Sequence, residues 1–253
     1  MHPIPLLTSS PHALPDYTQH PALIPTGSPP AAGLYLAAEE QGIVLRRVGS
    51  KGAVWVDFVG GAAQHRRLHG GGELLAKAVG RSSQPAVWDA TGGLGRDSFV
   101  LAGLGLHVHI FEQHPAVYCL LADGLARARA CPDTAPIAER LTLHHADAAT
   151  HMPRLAAQTG RPQVVYLDPM YPERRKSAAV KKEMAFFHEL VGTAQNDASL
   201  FDTARTVAAA RVVVKRPRLG EFLCGRQPDY QYTGKSTRFD VYLPLSPSLV
   251  EAT

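Results

Sequence analysis

The chain reads as an α/β protein of the Rossmann-like type: a mostly parallel seven-stranded sheet with a terminal β-hairpin, preceded by a small N-terminal β appendage. Three observations predict this. From residue 86 onward, short apolar runs alternate with helix-patterned segments, the order that builds a parallel sheet covered by helices on both faces. The glycine-rich turn DATGGLGRD joins the first of these strands to a helix. Asp89, Glu112, Asp147 and Asp168 end four successive strand patterns, at the edge where doubly wound sheets bind ligands.

Residues 1–32 come first, and eight of the 20 prolines fall within residues 1–30. This segment is predicted irregular. Residues 33–64 hold GLYLAA, GIVLRRV and AVWVDFV, short β-type runs that suggest a small antiparallel meander. Residues 65–253 form the main domain. There HRRLHGGG (65–72) is a loop and ELLAKAVG (73–80) a short helix stopped by glycine. AVWDA (86–90) is a buried strand, DSFVLAGLG (97–105) a helix and HVHIFE (107–112) a strand. PAVYCLLADGLARARA (115–130) is an amphipathic helix with Pro115 at its tolerated first position. LTLHHAD (141–147) and VVYLD (164–168) are strands. Helices are predicted over 178–190 and 200–209, then the strand RVVVKRP (211–217), then two strands around Gly234 in YQYTGKSTRFDVYLP.

Composition narrows the function classes. A chain of 253 residues, 45% hydrophobic and 19% charged, supports a sizeable core and excludes global disorder. The net charge of +4 permits a polyanionic partner without requiring one. Cys119, Cys131 and Cys224 form no CxxC pair, which argues against a disulfide framework or a zinc knuckle. No apolar run approaches the ~20 residues that span a bilayer. MHPIPLLTSSPHALP lacks the pattern of a signal peptide. A cytoplasmic protein without membrane or metal partners is expected.

The glycine turn carries the first functional signal. Asp89, Thr91, Gly93 and Gly95 form a strand-to-helix loop whose backbone N–H groups can approach a ligand closely. Gly93 and Gly95 fit the first two positions of a dinucleotide fingerprint, but Ser98 stands where the third glycine belongs. Glu112 lies 17 residues beyond Gly95, near the offset at which an acid meets ribose hydroxyls. A pyrophosphate would enter a crowd of carboxylates here. S-adenosylmethionine instead brings a sulfonium, an amine and ribose hydroxyls, with one carboxylate for the glycine loop or Arg96. The charge pattern favours S-adenosylmethionine over NAD.

The stretch YLDPMYPERRK (166–176) carries the second signal. An exocyclic base amine is a poor nucleophile because its lone pair is delocalised into the ring. The Asp168 carboxylate and the Pro169 carbonyl can accept its two hydrogens and turn the nitrogen toward a methyl donor. Tyr171 offers a face for an extruded base. Arg174, Arg175, Lys176, Lys181 and Lys182 can meet backbone phosphates, or form a solvated helix face. Lys215 and Arg216, at the end of a later strand, can extend that phosphate-binding rim or simply solvate the strand end.

The chain resembles the ribosomal RNA small subunit methyltransferase J family. VDFVGGAAQHRR, GGGELLAKAVG, DATGGLGRD, QVVYLDPMYP, KSAAVKKEM, RVVVKRP and RFDVY carry the resemblance, over roughly residues 52–243. It implies a class I S-adenosylmethionine-dependent methyltransferase acting on the N2 amine of a guanine in small-subunit (16S) rRNA or the 30S particle. It also implies cofactor contacts at Arg96, Asp97, Glu112, Gln113, Asp147, Ala148 and Asp168, and raises the case for Arg66 and Arg67 at RNA. Nothing transfers to the first 30 residues. An amino methyltransferase acting on DNA is the alternative within enzymes. A non-catalytic RNA-binding or ribosome-assembly factor is the alternative outside them. The histidine pairs His65/His69 and His107/His109 lack a third ligand and are expected at the surface or in packing.

Overall fold

The computed structural model describes residues 3–9, 14–60, 72–169, 185–186, 189–190 and 197–245. Two sheets organise them. Five strands form the N-terminal sheet in the order β2-β1-β3-β4-β5: β1 (Ile4–Leu7), β2 (Leu23–Thr26), β3 (Leu34–Glu39), β4 (Gly42–Arg47) and β5 (Ala53–Val54). The predicted antiparallel meander is β3-β4-β5. The irregular N-terminal segment is corrected, because β1 and β2 add to that meander as parallel strands.

Prolines conceal these two strands in the sequence. Ile4 and Thr8 donate their backbone N–H groups toward β2, to Ala22 and Thr26. The missing N–H of Pro5 therefore faces the other side, where pairing with β3 starts only at Leu6. Pro25 lies on β2, an edge strand that tolerates a missing donor.

The main sheet runs β11-β12-β10-β9-β6-β7-β8. Its members are β6 (Val87–Asp89), β7 (Val108–Glu112), β8 (Leu141–His145), β9 (Val164–Leu167), β10 (Arg211–Pro217), β11 (Tyr230–Thr233) and β12 (Thr237–Tyr242). Strands β6 to β10 are mutually parallel, and the β11–β12 hairpin adds antiparallel to β10. The expected seven strands and terminal hairpin are present. β6 lies between β7 and β9: the chain leaves β6 for β7 on one side and crosses from β8 to β9 on the other, which opens a crevice above the carboxyl end of β6.

The described helices are α1 (Glu73–Val79), α2 (Arg96–Gly103), α3 (Pro115–Ala130), α4 (Ala135–Ala138), α5 (Ala148–Thr159) and α6 (Asp197–Val207). None is long and apolar enough to cross a membrane. The sequence reading assigned no helix to the α5 segment, where the internal Pro153 reads as a breaker. Most of the helix predicted over 178–190 lies outside the described residues.

Strand periodicity divides the core. On β9, Val164 and Tyr166 join one apolar cluster while Val165 and Leu167 join the other. On β10, Val213 belongs to the first cluster and Val212 and Val214 to the second. Side chains two apart share a face, so Lys215 emerges on the face of Val213 and Tyr166. That face also carries α2.

The N-terminal sheet shares this core: Leu6, Leu36 and Leu45 fall in one cluster with Leu120 and Leu121 of α3. Val56 fills the space left by Gly124, where an added Cβ would lie 2.3 Å from Val56 Cγ1. Tyr17 Oη donates to Asp123 Oδ1 at 3.1 Å. Phe58 stacks on Phe99 of α2 with ring centroids 4.2 Å apart, which brings the N-terminal layer against the glycine turn.

Candidate active site

Between β6 and α2 the chain turns through Thr91, Gly92, Gly93, Leu94 and Gly95. Close packing dictates the glycines. A Cβ at Gly92 would lie 2.6 Å from Ile110 Cγ2 and 2.9 Å from the Phe111 carbonyl oxygen. At Gly95 (φ +68°) it would lie 2.6 Å from Leu121 Cδ1. Gly93 (φ +52°) differs, since a Cβ there would meet nothing nearer than the Thr91 carbonyl at 3.8 Å. Its left-handed backbone, open to a ligand, is what glycine supplies.

Asp89 shapes this turn from beneath. It is 2% exposed, and its Oδ1 accepts from the Thr91 backbone N–H (3.0 Å) and hydroxyl (3.3 Å). Oδ2 accepts from the hydroxyl of buried Ser98. Burial pushes the Asp89 pKa up to about 6, against hydrogen bonds that favour the ionised form. Ser98 thus replaces the third glycine of the dinucleotide pattern with a donor to this carboxylate.

Glu112 closes the turn from the neighbouring strand. Its Oε2 accepts from Gly93 N–H at 2.9 Å, and Oε1 from His114 N–H at 2.7 Å. Burial raises its pKa to about 7, although those N–H groups pull the other way. Gln113 beside it is exposed. Asp147 stands just beyond β8 and caps α5, its Oδ1 accepting from Thr150 N–H at 2.8 Å. Ala148 is buried behind it.

Asp168 follows β9, with Pro169 buried after it. The Asp168 N–H donates to Thr91 Oγ1 at 2.6 Å, which ties the end of β9 to the glycine turn. Lys215 reaches across from β10: its Nζ lies 2.9 Å from Asp168 Oδ2 and 2.6 Å from Asp97 Oδ2. Tyr166 Oη donates to that same Asp97 oxygen at 2.6 Å. Burial alone would lower the Lys215 pKa, but the two carboxylates outweigh it and hold the ammonium above the usual lysine range. Burial and the same carboxylates hold Tyr166 well above its ordinary value, hence protonated.

The acids predicted at successive strand ends therefore stand at or just beyond the carboxyl ends of four adjacent strands, β9, β6, β7 and β8. Thr91, Gly93, Gly95 and Asp97 join them, and exposed Arg96 opens α2. Carboxylates and open loop backbone accept hydroxyl and ammonium donors and disfavour a pyrophosphate.

The basic rim is corrected at two positions. Lys215 directs its charge at Asp97 and Asp168, because the β10 pleat turns it onto the Tyr166 face. Arg216 is 6% exposed and donates through Nε to the Glu221 carbonyl. Tyr171, Arg66, Arg67, Arg174, Arg175, Lys176, Lys181 and Lys182 lie outside the described residues, as do His65 and His69. His109 packs as expected, beside Trp88 and stacked on His144. The sequence reading missed Ser98 as a donor, Tyr166 as an Asp97 partner and Lys215 as a bridge. Two-residue periodicity from Val213 was the available signal for Lys215.

Comparison with known proteins agrees with this geometry. A family model described as "Putative SAM-dependent methyltransferase", SAM being S-adenosylmethionine, matches residues 23–244. The chain is 64% identical over 223 residues to the ribosomal RNA small subunit methyltransferase J of Neisseria meningitidis serogroup C, covering 88% of this chain and 89% of that one. The protein of the same name from Laribacter hongkongensis is 50% identical over 87% of this chain and 79% of its own. The crystal structure of a SAM-dependent methyltransferase from Neisseria gonorrhoeae covers 98% of this chain and 99% of that one, with TM-score 0.79 and 52% identity.

Proposed function

This chain belongs to the ribosomal RNA small subunit methyltransferase J family of S-adenosylmethionine-dependent methyltransferases, and we propose that it methylates the exocyclic N2 of a guanine in small-subunit rRNA. The substrate is the free rRNA or the 30S particle, met in the cytoplasm. S-adenosylmethionine supplies an electrophilic methyl on a sulfonium. Glu112 and Asp147 are suited to its ribose and adenine edge, and Gly93, Gly95, Arg96 and Asp97 to its amino-acid end. Gln113 and Ala148, next to Glu112 and Asp147 in the chain, are suited to the same adenine edge.

The observation that carries the reading is the anchoring of Asp168. Lys215 fixes one carboxylate oxygen and Thr91 fixes the backbone N–H, so the acid stands at the sheet edge in one orientation, followed by buried Pro169. Asp168 and the Pro169 carbonyl accept the two amine hydrogens, aiming the nitrogen lone pair at the methyl group. Asp168 would then take the proton that the nitrogen sheds as its new C–N bond forms and the methyl–sulfur bond breaks, with S-adenosylhomocysteine as the leaving group. Tyr171 stacks the base, while Arg66, Arg67 and the basic run 174–182 meet phosphates.

The test is transfer of isotopically labelled methyl from S-adenosylmethionine to small-subunit rRNA and to 30S particles, with nucleoside analysis. Label in N2-methylguanosine is expected. Label in another nucleoside would overturn the target atom and leave the enzyme class intact. Asp168→Ala should abolish transfer in a folded protein, and full activity in that variant would overturn the amine-orienting role.

A further inference from the structure

We propose that Lys215 is a positioning residue for methyl transfer, acting as the strut that holds Asp168 and Asp97 at fixed places on the sheet edge. The inference rests on the amine-orienting reading of Asp168. Three elements meet at this ammonium: β10 carries it, β9 leads directly into Asp168 and α2 carries Asp97.

The two carboxylates would repel each other without a cation between them. Neither is fully hydrated: the side chains of Asp97 and Asp168 are 20% and 40% exposed, and that of Lys215 is 29% exposed. Screening by water is therefore reduced, and the intervening charge has weight. Its partners are specific oxygens. Tyr166 Oη fixes Asp97 Oδ2 from below at 2.6 Å, and Lys215 joins that oxygen to Asp168 Oδ2. Rotation of Asp168 about its side-chain bonds is then opposed at the oxygen, while Thr91 opposes movement of its backbone.

The consequence is orientational. An acceptor that aims an amine must keep its direction while the nitrogen approaches the methyl group. The strut keeps Asp168 from swinging toward the cationic cofactor, where it would act as a counter-ion and no longer as an amine acceptor. Lys215 touches neither reacting atom in this scheme. Tyr166 still holds Asp97 when Lys215 is lost, so the effect should fall on kcat more than on cofactor binding.

The experiment compares Lys215→Met, Lys215→Gln and Lys215→Arg with the parent in labelled methyl transfer to small-subunit rRNA, alongside cofactor binding by calorimetry and thermal melting. Misplacing a reacting group by about 1 Å costs on the order of 100-fold. Lys215→Met is expected to lose kcat by about that factor with cofactor Kd changed less than about threefold, and Lys215→Arg to recover most of it. Lys215→Gln, which keeps a donor, gives the reading if the methionine variant does not fold. Adding Lys215→Met to Asp168→Asn should cost little more than Asp168→Asn alone, because both act on one acceptor. Parental kcat in folded Lys215→Met and Lys215→Gln, or a loss confined to cofactor Kd, overturns the strut. Full activity in Asp168→Asn would instead overturn the underlying reading of Asp168, a separate result.

Discussion

Ser98 Oγ donates to Asp89 Oδ2 at 2.5 Å, and both residues are buried beneath the glycine turn. The cost of opening this bond sets the first prediction. Ser98→Ala should destabilise the fold by about 1–3 kcal/mol, the penalty for a buried polar group without its partner. The deficit should grow with pH. Asp89 titrates near 6 in the folded chain, above its unfolded value of about 3.9. Its favourable contribution is therefore present at low pH and lost as pH rises through 6. Removing a donor to the ionised form deepens that loss. Urea unfolding at pH 5 and pH 8 measures the difference, and an equal deficit at both would count against it.

Glu112 predicts the pH dependence of cofactor binding. Its carboxyl is pushed up to about 7 by burial, and its ionised form is the better acceptor for ribose hydroxyls. Affinity for S-adenosylmethionine should rise as pH increases through about 7. Glu112→Gln should flatten that profile and weaken binding roughly tenfold, as for one charge-assisted hydrogen bond. Calorimetric titration between pH 6 and pH 8.5 decides it.

On the opposite face of the sheet, His144 stacks between His109 and Phe111, with 3.0 Å between His109 Nδ1 and His144 Nε2. Burial, with His109 adding to it, lowers the His144 pKa to about 4. For a base depressed on folding, stability is intact above the unfolded value of about 6.5 and lost as pH falls through 4. His144→Phe keeps a ring in the stack and removes the titration. Its melting temperature should fall less than that of the parent between pH 7 and pH 4.5.

Gly124→Ala tests the joint between the two sheets. The new methyl would sit 2.3 Å from Val56 Cγ1 and 3.2 Å from its carbonyl oxygen. Overpacking at such a contact costs about 1–3 kcal/mol. Limited proteolysis should cut the variant first within residues 1–60, where the joint has been forced open. A digestion pattern matching the parent would show that the contact relaxes at no cost.

Much of this architecture was legible because it rests on periodicity. The apolar runs at 86–90, 107–112 and 164–168 could satisfy their backbones only as strands in a covered sheet, and the acids that end them were expected along one edge of that sheet, where the structure places them. Positions where context overrides local preference were not legible. Pro5 and Pro25 read as breaks until β2 proved to be an edge and Pro5 to face away from its first partner. Pro153 likewise concealed α5. Lys215 shows a different limit. Its place at a strand end was clear, but two carboxylates from distant segments give it its role, and only the folded chain brings them within 3 Å.

The shared core has a consequence for the order of folding. Tyr17 and Asp123, which hydrogen-bond across the joint, lie 106 positions apart. At synthesis rates of about 5–20 residues per second, that separation corresponds to roughly 5–20 seconds on the ribosome. The strands at the amino end thus emerge well before the helix that covers them, and their early pairings cannot be consolidated until α3 arrives. During that interval the nascent chain displays apolar β-strands awaiting a partner, a target for holding chaperones and a hazard for neighbouring chains.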